Sequence, residues 1–146
     1  MCSTVHTTLA ASSTSAAQAR HWLTDQLQDF YGDLGNLGDS GHDAVLIVSE
    51  LVTNSVTAHT DDLTLAVHAH RRTLDVAVSD TAGGIPTLQP PDPFADGGRG
   101  LAIINALSAA WGVVEHADHR RTGKTVWAEL LLPVAAASTF ECTLTG

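Results

Sequence analysis

Residues 63–80 read LTLAVHAHRRTLDVAVSD, and the alternation inside them decides the architecture. Leu63, Leu65 and Val67 alternate with Thr64, Ala66 and His68, and Leu74, Val76 and Val78 alternate with Asp75, Ala77 and Ser79. A period of two predicts two strands, each with one buried face. The short link through Arg71, Arg72 and Thr73 suits a hairpin. A sheet with one apolar face needs a covering layer, and the residues upstream supply it. From Ala16 to Tyr31, apolar residues recur at Ala19, Trp22, Leu23, Leu27 and Phe30, the three-and-four spacing of an amphipathic helix. A second helix is expected from about Asp43, with a stripe through Val45, Val48, Val52 and Val56 and with Ala44, Ile47 and Leu51 beside it. Between them, residues 32–41 (GDLGNLGDSG) read as a Gly-rich loop.

Downstream, residues 81–98 (TAGGIPTLQPPDPFADGG) hold four prolines and four glycines, which excludes a regular element. A third helix is expected from about Gly100 through LAIINALSAA, followed by two strands, WGVVEHA and KTVWAELLLP, joined by a turn around Asp118 to Gly123. Residues 1–15 read as a loose lead-in that can supply one edge strand at STVHTTL, and the tail after Pro133 carries no clear signal. The order is helices, hairpin, helix, hairpin. It predicts one α+β domain across 1–146, with helices layered on one face of a mostly antiparallel sheet.

Composition narrows the function. The chain has 146 residues, 44% of them hydrophobic, enough for a real core. Its net charge of −9, with seven basic residues, argues against sequence-independent nucleic-acid binding and against an anionic membrane surface. It leaves room for a partner with a basic surface. No apolar run is long enough to span a bilayer, and the N-terminus makes a poor signal peptide. Cys2 and Cys142 do not make a disulfide framework. A cytoplasmic protein is expected.

Three features can carry chemistry. Glu50 and Asn54 stand four residues apart, so they project side by side, about 40° apart around the second helix. Alone the pair suits a solvated face, yet no Lys or Arg occurs between His42 and Arg71 to complement it. A carboxylate beside an amide oxygen also suits the edge of a hard-cation site. Asp80 is the second feature. Counting by twos from Leu74 lands on it, so it continues the buried face of its strand. It is either a turn residue opening the loop or an acceptor for a ligand's amino group. The third feature is glycine placement: Gly83 and Gly84 follow Asp80, and Gly97, Gly98 and Gly100 surround Arg99 just before the third helix. Glycines admit close backbone approach, and a helix N-terminus offers N–H groups to phosphate. No GxxxxGK[ST], GxGxxG or GxSxG motif is present.

In this order the three features resemble the GHKL (Bergerat-fold) ATPases, and among them the stand-alone bacterial anti-sigma-factor serine/threonine kinases, from about Ala19 to Leu132. VLIVSELVTNSV is similar to the N box. The resemblance implies Glu50 as general base and Asn54 as the Mg²⁺ ligand. VSDTAGGIP resembles the first glycine box, which implies Asp80 on the adenine amino group and Gly84 behind the base. GGRGLAIINALSAAWG resembles the second, placing Gly98, Arg99, Gly100 and Leu101 at the phosphates, and GKTVWAEL resembles the closing strand, with Thr125 as the adenine-pocket hydroxyl. Two positions depart from the pattern: Ala82 stands where the first box has Gly, and His59 falls one residue late in the N box because Ala58 intervenes.

What the resemblance implies is ATP and Mg²⁺ as cofactors, a Bergerat fold with a mixed sheet, and transfer of a phosphoryl group to an anti-anti-sigma (STAS) partner. It also implies capture of a sigma factor and a tendency to homodimerise, while the charge balance argues against direct contact with nucleic acid or membrane. The alternative is a non-catalytic, nucleotide-gated protein-binding module.

Overall fold

The computed structural model describes residues 3–58, 60–81, 99–118 and 121–139. Five strands form one sheet: β1 (Ser3–Ala10), β2 (Asp62–Ala69), β3 (Thr73–Asp80), β4 (Ala110–Asp118) and β5 (Arg121–Leu131), in the order β1-β2-β3-β5-β4. Every described pairing is antiparallel, so the expected mixture with parallel pairs is absent among these strands. The β2–β3 hairpin is the one read from 63–80, with Leu65 opposite Val78 and Val67 opposite Val76.

The helices are α1 (Ser15–Tyr31), α2 (Asp39–Thr57), α3 (Arg99–Leu107) and α4 (Val134–Thr139). α2 packs on β3 and β5, with α1 and α3 against it. The core between the layers takes Leu63, Leu65, Val67, Leu74, Val76, Val78, Val126, Ala128 and Leu130 from the sheet. Leu23, Leu27, Ile47, Leu51, Val52, Leu101 and Ile104 meet them from the helices. Tyr31, fully buried at the end of α1, donates its hydroxyl to the His70 carbonyl at 2.7 Å and so ties that helix to the β2–β3 turn.

Four boundaries differ from the sequence reading. The segment 32–41 is not all loop: Leu34–Leu37 form a 3₁₀ turn, capped by Asp33 through Gly35 N–H, and α2 starts at Asp39 rather than near Asp43. Gly41 lies inside α2, where a Cβ would stand 3.2 Å from the buried Leu37 side chain. The closing hairpin is tighter than expected, with Asp118 inside β4 and Arg121, Thr122 and Gly123 inside β5. The tail after Pro133 forms the short α4. The edge strand expected at STVHTTL is present as β1, bonded to β2 along its length. No helix among the described residues is long and apolar enough to cross a membrane.

Candidate nucleotide site

The site gathers around the C-terminal half of α2. The buried face of this helix is Ala44, Ile47, Val48, Leu51, Val52 and Ser55; Val45 and Val56 are only half-buried at its flanks. That rotation aims Ser55 at the sheet. Its hydroxyl donates to Asp80 Oδ2 at 2.6 Å.

Asp80 is the last residue of β3 and lies on the buried face, as counting by twos predicted; its side chain is 1% exposed. A buried carboxylate needs compensation. The second partner is Lys124 of β5, directly opposite Asp80 in the ladder, with Nζ 3.2 Å from Oδ1 and a side chain 7% exposed. The end of the strand is fixed from both sides. Thr60, after α2, accepts from Thr81 N–H at 3.2 Å and shares a hydroxyl contact with Thr81 at 3.1 Å. Gly123 lets β5 come close, since a Cβ there would sit 2.5 Å from the Asp80 carbonyl oxygen.

Glu50 and Asn54, one turn apart on α2 and both half-buried, face the start of α3. A Cβ built on Gly100 would meet Asn54 Nδ2 at 3.1 Å, Asn54 Oδ1 at 3.2 Å and Glu50 Oε2 at 3.2 Å. A carboxylate oxygen and an amide oxygen thus converge on one cradle at a helix N-terminus. A side chain at position 100 would crowd both of them. Oxygen donors so gathered suit a hard divalent cation. Ser55 follows Asn54 in sequence, so adjacent residues of one helix serve the cradle and the buried carboxylate.

The other expected residues divide. Leu101 is buried in the core, so its side chain faces away from any phosphate and only its backbone N–H, in the first turn of α3, remains for one. Arg99 opens α3, but its side chain lies outside the described residues, as do Gly84, Gly98, Ala82 and His59 entirely. Thr125 is a correction. It sits opposite Ser79, on the sheet face away from the helices, and its hydroxyl lies 2.6 Å from Ser79 Oγ and 2.8 Å from His116 Nε2. The pleat sends it to the face opposite Asp80, and its neighbour Lys124 takes the inner place.

The sequence reading missed Ser55 and Lys124. Both left a signal. Ser55 falls on the apolar stripe of α2, three and four residues past Val52 and Leu51, and counting back by twos from Leu130 through Ala128 and Val126 lands on Lys124. Among the described residues, no group of three His, Cys, Asp or Glu side chains gathers to hold a metal by itself.

Comparison with known proteins matches residues 40–134 to the histidine kinase-, DNA gyrase B- and HSP90-like ATPases, a span that takes in α2 but for its first residue, and β2, β3, α3, β4 and β5, and hence every part of this site. No individual curated protein matches the chain.

Proposed function

The chain belongs to the histidine kinase-, DNA gyrase B- and HSP90-like ATPases, an ATP-binding family that includes kinases, and we propose that it transfers the γ-phosphoryl group of ATP to a serine or threonine hydroxyl of a partner protein. The observation that carries this reading is the convergence of Glu50 Oε2 and Asn54 Oδ1 on the cradle at Gly100, where α3 begins.

Each residue then has one task. Asn54 would hold Mg²⁺ through its amide oxygen. The ion, when bound, neutralises phosphate charge, which is much of what phosphoryl transfer requires. Backbone N–H groups at the start of α3, from Arg99, Gly100 and Leu101 with Gly98 before them, supply donors and the positive helix end for the phosphates. Glu50 takes the proton from the attacking hydroxyl as its oxygen bonds to the γ-phosphorus and ADP leaves. Asp80 accepts from the exocyclic amino group of the base. The resemblance to anti-sigma kinases makes a STAS protein the acceptor and a sigma factor the captured partner, and the net charge of −9 favours a basic surface on that partner.

The test uses labelled ATP with Mg²⁺ and a serine-bearing STAS protein, comparing wild type with Glu50→Ala. Wild type is expected to label the partner, while Glu50→Ala keeps nucleotide binding and loses about a hundredfold or more in transfer rate, the scale of one general base. Nucleotide binding with no transfer by wild type would sink the kinase reading and leave a nucleotide-gated binding module.

A further inference from the structure

The carboxylate assigned to the base carries a buried cation beside it. Lys124 Nζ lies 3.2 Å from Asp80 Oδ1, with both side chains nearly excluded from water, while Ser55 holds the other carboxylate oxygen at 2.6 Å. Stability alone is a weak reason for such a pair, because apolar side chains of similar volume are often as good or better in the same space. The closing strand could have placed a hydroxyl here, but the pleat turns Thr125 to the outer face. What faces the helix layer is an anionic acceptor and a cationic donor side by side.

The geometry points to Lys124 as a second base-reading residue, one that donates to a ring-nitrogen acceptor while Asp80 accepts from the amino group next to it. The inference rests on the nucleotide reading above and deepens it. The class of base selected is one whose edge carries an amino donor beside an unprotonated ring nitrogen, as adenine does with N6 and N1. An ammonium carries more N–H donors than its contact with one carboxylate oxygen uses. Asp80 is its one hydrogen-bond partner among the described residues. Lys124 can therefore keep the ion pair and bond the base together. Of the two side chains Lys124 is the more exposed, 7% against 1%. A hydrogen bond from a charged donor is also among the stronger ones, which makes this contact a determinant of specificity.

The experiment titrates the full chain with Mg·ATP and with Mg·1-deaza-ATP, in which a C–H replaces N1, for wild type and Lys124→Met. Wild type is expected to bind the analogue about tenfold or more weakly, the scale of one charged hydrogen bond. Lys124→Met is expected to bind both nucleotides alike, at the level of the analogue. A lysine that only supports the fold would weaken both nucleotides together and leave their ratio unchanged. Equal binding of the two nucleotides by wild type overturns the role of Lys124 and leaves ATP binding standing. Tighter ATP binding by Lys124→Met overturns it too, because the lysine would then be blocking the base. Binding of neither nucleotide by wild type removes the nucleotide reading and this inference with it. Where Lys124→Met does not fold, Lys124→Gln takes its place, and a nucleotide ratio for it equal to that of wild type overturns the role of the ammonium.

Discussion

Asp80 and Lys124 are each other's counter-charge in a place where water reaches neither well. Removing one charge from such a pair strands the other, whereas removing both leaves an apolar gap that packing tolerates. Asp80→Asn and Lys124→Met are each expected to destabilise the fold by about 3–5 kcal/mol. The double variant should lose less than the sum, with a coupling of about 0.5–3 kcal/mol. Urea unfolding of the four proteins measures it, and strict additivity would show that the contact carries no energy. The carboxylate half of this pair was legible because a charged residue broke an apolar alternation. The lysine is equally legible by the same count along 124–130, although within GKTVW the threonine hydroxyl is the more usual ligand for a base. Register decides between neighbours: Asp80 faces Lys124 and Ser79 faces Thr125, and a shift of one residue exchanges the sheet faces.

At the scale of elements, the β3–β5 ladder holds two charged pairings of opposite character. Lys124 with Asp80 is attractive and buried. Farther along, on the outer face, Glu129 stands directly opposite Asp75, and like charges placed so oppose the strand pairing. Glu129 is accordingly held above the usual carboxylate range: first by a hydrogen bond from its protonated form to Asp75, then by partial burial and the charge of Asp75, with His70 opposing. A raised folded-state value means that the native chain binds this proton more tightly than the unfolded chain. The stabilisation is therefore fully present below the ordinary glutamate range and is lost as pH rises through the elevated value. Glu129→Gln is expected to match or exceed wild type in melting temperature at neutral pH, with its advantage shrinking toward mildly acidic pH. An advantage that grows on acidification would contradict the assignment. Elements were read well where period was strong, as in the β2–β3 hairpin and α1, and less well where glycine has two meanings. Gly41 looked like loop but serves close contact with Leu37 inside α2, so the helix begins earlier than its apolar stripe.

On the scale of the whole molecule, the candidate site is a junction. α2 supplies Glu50, Asn54 and Ser55, β3 supplies Asp80, β5 supplies Lys124, and α3 brings Gly100 to the first two. These residues are distant in sequence and meet only when both layers are formed. The sequence could show their types and order, but their meeting depends on crossover contacts that no local period encodes. The consequence is thermodynamic. A ligand that needs α2, β3 and the start of α3 together binds the native state and not the unfolded chain, so it must stabilise the fold as a whole. Mg·ATP at about a hundred times Kd is expected to add about 2.7 kcal/mol, read as a melting temperature that keeps climbing with nucleotide concentration. Asn54→Ala, which removes the amide oxygen from the cradle but leaves Asp80 and Lys124 in place, should keep a smaller response to nucleotide and lose its dependence on Mg²⁺. Thermal melts across a nucleotide series, with Mg²⁺ or with EDTA, provide the measurement. An Mg²⁺-dependent response that survives intact in Asn54→Ala would move the metal away from α2. A wild-type melting temperature indifferent to Mg·ATP at every concentration would mean that the junction does not take nucleotide.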